Sequence, residues 1–359
     1  MKMPLIRALK RTASYYGREA LRLPIRPMKL RLAVTNRCNA RCRMCGVWRA
    51  EIDASRELTA EEYGRLFSRN RDFFKVLRHV SLTGGEPMLR DDLEKIVRIV
   101  HQECPRVSLN INTNGFRTDR VTALALSLLE HEIPMTYNIS LDGMGEAHDR
   151  MRGVPGAAKM ALRTIEDLVE LRTPGARLKI GVNHVITDDN YEECKPVHDF
   201  CRERRIEFNP ILPMFGEFFH NETLKFDLSD PARENLIGVF EGFLATEPEE
   251  RLAFSEILDQ LRRRPRDFRC WAGRVLLLVE EDGEVYPNGG CPRDWKLGNL
   301  RSFDFHLRRL MSSPQARDVM RKVSQCRTCR LACETLTTLK YPEALKARRK
   351  MGQVNTASS

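Results

Sequence analysis

Apolar positions along the chain follow two periods in turn. Short runs rich in β-branched and aliphatic residues occur at 30–35, 77–82, 107–111, 135–141, 178–186 and 206–212, and read as strands. Between them, apolar residues recur every three to four positions, which predicts helices at 59–73, 91–101, 119–129, 156–171 and 190–204. In the first of these, Tyr63, Leu66 and Phe67 share a face, Thr59 is placed to cap, and Glu62 follows three residues on. In the second, Leu93, Ile96, Val97 and Val100 share a face. Six strands alternating with five helices is the pattern of parallel βα units. Six units fall short of the eight of a closed barrel, so the choice lies between a partial barrel and a doubly wound sheet. Both put the active site at the carboxyl ends of the strands.

The flanks read differently. Ile6, Leu9, Ala13, Tyr16, Ala20 and Leu23 form a helical stripe, with Arg7, Lys10, Arg11, Arg18 and Arg22 mostly off it. A helix docked on the body with a solvated basic face is the first reading of this leader. An interfacial helix on anionic lipid is the second, and an acid-poor transit peptide the third. After the repeating units comes an aromatic segment, Met214 to His220, that could cover a substrate; His220 itself reads equally well as a surface residue. Helices follow at 230–246 and 249–261. Residues 274–280 and 284–286 then flank Asp282-Gly283, a hairpin signal. The expected organisation is a basic amphipathic extension (1–29), a barrel (30–225), a helical linker (226–265), a cysteine-rich hairpin and helix domain (266–340) and a basic tail (341–359).

Composition narrows the class. The apolar share is 42%, and Gly and Pro are ordinary at 21 and 18 residues. No apolar run reaches membrane-spanning length and no signal-peptide core is visible, so a soluble cytoplasmic protein is expected, peripheral to a membrane under the second reading of the leader. The net charge of +11 is concentrated in residues 1–31, which hold nine Lys or Arg against Glu19 alone. The rest is nearly balanced, and no strand face interleaves aromatic with basic residues, which argues against a nucleic-acid partner.

The carboxyl ends of the predicted strands carry the unusual residues. Strand one leads into Cys38, Cys42 and Cys45, strand two into Gly84-Gly85-Glu86-Pro87, strand three into Asn114-Gly115, and strand four into Ser140, Asp142 and Gly143. The eleven cysteines, an odd number without an export signal, argue for metal ligation over disulfides. Three thiolates in one tight loop leave a coordination position open, which suits an iron–sulfur cluster with one unligated iron. Zinc would need a fourth ligand, and no His follows in the loop. Cys104, Cys194 and Cys201 stand singly and read as small buried hydrophobes.

The Cys38, Cys42, Cys45 motif resembles the signature of the radical S-adenosylmethionine (SAM) superfamily, over roughly residues 30–212. The resemblance implies an α/β fold, a partial (β/α)6 TIM-type barrel. It implies a [4Fe–4S] cluster on the three cysteines whose open iron chelates SAM. Reductive cleavage would then give a 5′-deoxyadenosyl radical that abstracts a substrate hydrogen. Gly84, Gly85, Glu86 and Pro87 resemble the segment that meets the SAM amino group, with Glu86 either structural or binding the ammonium. Ser140 and Asp142 resemble ribose- and carboxylate-contacting residues. Met44 stands where the family often has an aromatic residue beside adenine, a mild departure because Met packs there too. Asn114, Asn183 and Ile211 lie at strand ends suited to SAM or substrate.

Cys270 and Cys291 flank the hairpin, and Cys326, Cys329 and Cys333 follow as a knuckle. Together they point to a second metal site. The segment resembles the SPASM and twitch extensions of radical SAM enzymes, which hold auxiliary [4Fe–4S] clusters. Five cysteines suffice for one such cluster, on Cys270, Cys291, Cys326 and Cys329, with Cys333 either replacing Cys329 or spare. The resemblance implies an oxidoreductase acting on a peptide or small carbohydrate-like substrate, served by an electron donor such as flavodoxin or ferredoxin. Redox-neutral epimerisation or dehydration is the alternative outcome.

Overall fold

The computed structural model describes residues 5–21, 25–51, 53–224, 228–247, 249–327, 332–344 and 346, without the side chains of residues 5, 7, 8 and 332–334. In chain order the elements are α1 (Leu5–Ala20), β1 (Lys29–Thr35), α2 (Ala60–Arg69), β2 (His79–Gly84), α3 (Leu93–Glu103), β3 (Ser108–Thr113), α4 (Thr118–Glu130), β4 (Met135–Ser140), α5 (Glu146–Arg152), α6 (Ala157–Glu170), β5 (Leu178–Val185), α7 (Cys194–Glu203) and β6 (Glu207–Ile211). Then come α8 (Asp230–Thr246), α9 (Arg251–Leu261), β7 (Leu276–Val279), β8 (Glu284–Tyr286), β9 (Gly298–Asn299), α10 (Leu307–Met311), α11 (Pro314–Gln325) and α12 (Ala332–Lys340).

The sheet order is β6-β5-β4-β3-β2-β1-β7-β8-β9. The first six strands are parallel and lie in sequence order. A doubly wound sheet reverses its order at a switch point; this one does not, so the partial barrel is the fold. β7 pairs parallel with β1, and β8 and β9 follow antiparallel. The C-terminal hairpin therefore continues the barrel sheet.

Period two sorts the strand residues. Leu30, Leu32 and Val34 join the large core under the helices, whereas Ala33 packs on the other side with Phe218, Leu278 and Tyr286. On that inner side a closed barrel would stack branched apolar residues. Here Asn110 and Asn112 donate to Ser81 Oγ at 3.1 and 3.0 Å, and Asn138 and Asn183 donate to Asn112 Oδ1 at 3.2 and 3.1 Å. A lumen lined with carboxamides is a place for a polar ligand.

The capping box of α2 forms as the sequence predicts, with Thr59 and Glu62 exchanging backbone bonds at 3.2 and 3.0 Å. The helix stops at Arg69, short of 73. The buried Asn70 takes the capping position and bonds the carbonyls of Leu66 and Phe305 and the amide of Leu307. The lone cysteines behave as expected: Cys194 and Cys201 are buried in the core and Cys104 packs against it.

The leader helix docks on the body with Lys10 and Arg18 exposed, as its first reading has it, but not through most of its apolar stripe. α1 docks through Tyr15 and Tyr16, whose rings meet Trp271 edge-on at 5.8 and 5.2 Å, and through Glu19, which pairs with Arg269 and Arg274. Apart from Tyr16, the described stripe faces away from the body: Ile6 is 67% exposed and Leu9 46%, with Ala13 and Ala20 also exposed, while Leu23 lies outside the described residues. Among the described residues no helix is long and apolar enough to cross a membrane.

Candidate active site

The loop after β1 is held from several sides. Thr35 O accepts from Gly85 N and Arg37 O from Glu86 N, both at 2.7 Å, so the β2 loop runs as a backbone partner beside the cysteine loop. A Cβ on Gly85 would lie 2.2 Å from Arg37 O, and Gly84 has φ +125° with no space beside Thr35 O. Glycine is required at both positions. Asn114 Nδ2 donates to Asn39 Oδ1 at 2.7 Å. Arg41 N and Arg43 N donate to the carbonyls of Arg152 and Met151 at 2.9 Å. From the opposite side, Asn221 Nδ2 donates to Met44 O at 2.9 Å and Gly46 N to Phe219 O at 2.7 Å. The aromatic segment of 214–220 thus straps the cysteine loop. Its Glu217 also accepts from Arg293 N beyond the hairpin.

Within this frame the thiols of Cys38, Cys42 and Cys45 are half-buried. Burial, reinforced by the neighbouring thiols, pushes Cys38 up to about 12 and Cys45 up to about 11. Two such thiols in one loop become thiolates together only around a cationic centre. The donor set therefore fits an iron–sulfur cluster with three protein ligands.

Glu86 is buried, and burial raises its pKa despite the hydrogen bonds to it. Its carboxylate accepts from Met88 N at 3.0 Å, Thr113 Oγ1 at 2.7 Å and Asn114 N at 2.7 Å. It ties the loop after β2 to the loop after β3, in keeping with the structural alternative for this residue. Asp142 is fully buried and accepts from Val185 N at 2.9 Å, while Asp142 N donates to His148 Nδ1 at 2.8 Å. Its second oxygen lies 2.7 Å from Arg152 Nε. Arg152 in turn directs Nη1 at Cys42 Sγ, 3.6 Å away.

Arg152 is the main residue that sequence reasoning missed. It ends α5, a two-turn helix too short to show periodicity. Of the lumen asparagines only Asn183 was anticipated; Asn110, Asn112 and Asn138 were missed, although their alternation with apolar residues is visible in the chain.

Ser140 lies in register with Asn183, and Ile211 with Val185, on neighbouring strand ends of the same layer. Met44 and Pro87 are buried beside that layer. In the C-terminal part, Cys270 is buried ahead of β7, Cys291 follows β8, and Cys326 caps α11. Cys329 lies outside the described residues, as does the side chain of Cys333, whose backbone is in α12.

Comparisons with known proteins bear on this geometry. The model of the radical SAM superfamily matches residues 32–201. The probable GTP 3′,8-cyclase of Metallosphaera sedula is 32% identical over 269 residues, covering 75% of this chain and 77% of that protein. The chain belongs to the radical SAM superfamily. A second relative, the Fe-coproporphyrin III synthase of Methanosarcina barkeri, is 28% identical over 230 residues. That match covers 60% of this chain, which spans about half (54%) of the relative's length. Among solved structures, Streptococcus suis SuiB bound to precursor peptide SuiA aligns with a TM-score of 0.60 at 18% identity, over 85% of this chain and 69% of that one. The last likeness is one of fold.

Proposed function

We propose that this radical SAM enzyme oxidises or otherwise modifies a peptide or carbohydrate-like substrate in the cytoplasm. The observation that carries the reading is the gathering of three half-buried thiols at the carboxyl end of a parallel strand, with Arg152 aimed at one of them. When bound, a [4Fe–4S] cluster on Cys38, Cys42 and Cys45 supplies one electron that cleaves SAM to methionine and a hydrogen-abstracting 5′-deoxyadenosyl radical. The chain's own residues do the rest. Gly84 and Gly85 let the backbone come close to SAM, with Pro87 and Met44 packed beside it. Glu86 fixes the loops bearing Asn114 and Gly85. Ser140, Asn183 and Ile211 face the SAM and substrate space. Asp142 holds Arg152, whose charge offsets that of the thiolate at Cys42. The carboxamides of Asn112 and Asn138 offer both donors and acceptors to a polar, uncharged substrate.

Cys270, Cys291, Cys326 and Cys329, with Cys333 as the alternative fourth ligand, hold an auxiliary [4Fe–4S] cluster in this reading. Bound there, such a group would supply an acceptor for the electron left on a substrate radical, and with loss of a proton to solvent the net reaction would be an oxidation. The solved structure of SuiB with its precursor peptide supports a peptide as one substrate class. The exposed stripe of α1, ringed by basic residues, supports contact with an anionic membrane surface. An acidic electron donor of the flavodoxin or ferredoxin kind completes the set of partners.

Anaerobic reconstitution followed by iron and sulfide analysis is the direct test. About eight irons per chain are expected from two four-iron clusters, and about four in a Cys38/Cys42/Cys45 triple-Ala variant. With dithionite, the wild type is expected to convert SAM to 5′-deoxyadenosine and Cys38→Ala to form none. Equal amounts from both would discard the assignment, and a wild type with about four irons would favour the redox-neutral alternative.

A further inference from the structure

The first turns of α4 and α6 touch each other in the helix layer. Thr118 Oγ1 lies 2.7 Å from Thr164 Oγ1 and 3.5 Å from Met160 O. Between these turns is a cleft of about 290 Å³, at the small end of ligand sites. Val121, Leu124, Ala161 and Ile165 hold the two helices in the large core, on the helix side of the sheet. The carboxamides of Asn112 and Asn138 bond each other on the lumen side. The cleft is therefore separate from the barrel lumen. It lies at the carboxyl ends of the strands, where β3 leads through Asn114 into α4.

Arg117, Arg120, Lys159 and Arg163 wall this cleft, against one acid, Asp119. Arg120 is engaged elsewhere, by Asp91 and by Arg90 O, both at 2.9 Å. Arg163 is held loosely, 3.9 Å from Asp167 on its own helix. Among the described residues, Arg117 and Lys159 pair with no carboxylate. They enter the cleft from different helices and so face it from two sides. Like charges gathered around one cavity repel each other, and an anion between them removes that cost. The backbone adds to the attraction. Arg117 stands at the N-cap of α4 with a side chain that cannot accept, so the amides of Thr118, Asp119 and Arg120 have no acceptor among the described residues. In α6, by contrast, Asp149 accepts from Gly156 N at 2.6 Å and Ala158 N at 2.8 Å. Phe116 and Met160 give the cleft an apolar portion of wall.

We propose that this cleft is a binding site for a phosphate dianion, either free or as the monoester of a small organic molecule. Guanidinium and ammonium groups facing one another match the several acceptor oxygens of a phosphate. A carboxylate brings fewer oxygens and less charge. The site goes beyond the proposed reaction and does not depend on it.

The test is isothermal titration of the reconstituted protein with inorganic phosphate and with ribose 5-phosphate, in low salt at about pH 8, where a monoester is a dianion. One saturable site is expected in the wild type. The Arg117→Gln/Lys159→Gln variant is expected to bind both probes about tenfold more weakly. An Arg106→Gln/Arg202→Gln variant loses the same charge at exposed positions away from the cleft and should bind as the wild type does. Tighter binding of ribose 5-phosphate than of phosphate would identify a phosphorylated organic molecule as the ligand, its organic part against Phe116 and Met160. The reverse order would identify free phosphate. No saturable binding by the wild type, an unchanged affinity in the Arg117→Gln/Lys159→Gln variant, or an equal loss in both variants would overturn the proposal. Equal melting temperatures check that the variants are folded. Binding is read without turnover, so this result stands apart from the 5′-deoxyadenosine assay.

Discussion

The leader helix and the barrel helices carry the same kind of apolar stripe and use it in opposite ways. In α2 and α3 the stripe residues Tyr63, Leu66, Phe67, Ile96, Val97 and Val100 are buried against the sheet. In α1 the stripe points to solvent, while Tyr15, Glu19 and part of Tyr16 hold the helix to Trp271 and its neighbours. Of the large hydrophobic side chains most exposed among the described residues, Ile6, Leu9, Tyr16 and Leu21 all belong to α1 or the residue after it. Periodicity identifies an apolar face; it does not say what covers that face. A stripe left open on a docked, basic helix marks a surface for something else.

The largest expected effect separates the two kinds of stripe by stability. Phe67→Ala should cost about 3–5 kcal/mol, whereas Leu9→Ala should stay within about 0.5 kcal/mol. Urea titration of both variants checks this, and comparable losses would erase the distinction. Next is Trp271→Ala, which removes the buried ring beneath α1. We expect a loss of about 3 kcal/mol together with faster proteolysis within residues 5–21, and an unchanged cleavage rate would mean that α1 is held elsewhere.

The barrel side should also carry a pH response that the leader lacks. Burial, aided by Arg152, lowers His148 to about 4, so the folded state keeps it neutral while the unfolded chain protonates near 6.5. Its stabilising contribution is complete above that value and disappears as pH falls toward 4, amounting to about 3 kcal/mol. His148→Gln keeps an acceptor for Asp142 N but cannot titrate, so its stability profile should be flatter over that window. Parallel profiles for the two proteins would count against the assignment. The smallest effect concerns the open stripe itself. Ile6→Glu/Leu9→Glu should lower binding to anionic vesicles about tenfold with no change in melting temperature. Undiminished binding would return α1 to a purely structural role.

Much of the architecture was legible because each βα unit states its own period. The strand ends carrying Cys38, Gly85, Asn114, Ser140 and Asp142 could be placed in one layer before any coordinates. The parts that were not legible depend on distant partners. Nothing near Asn70 announces that its carboxamide will bond Phe305 and Leu307 and end α2 there. Nothing local to Arg152 announces a cysteine on another loop. The leader's orientation was misread because the choice of buried face is made by Trp271 and Arg269, far along the chain. The lumen asparagines were readable in principle, since alternation of Asn with Ile and Leu places them opposite the core face.

The pairing of β7 with β1 has a consequence for biosynthesis. On one edge Lys29 pairs with His79, close in sequence, but on the other its neighbour is Leu276. While the ribosome is still producing the intervening chain, β1 is an edge strand with open backbone groups, the feature that invites wrong partners. Contacts of such sequence separation form slowly. The first strand to emerge is thus among the last to be sealed, and the residues that seal it lie in the cysteine-rich quarter. Folding of the cysteine-rich C-terminal part and closure of this sheet edge become one event in the life of the nascent chain.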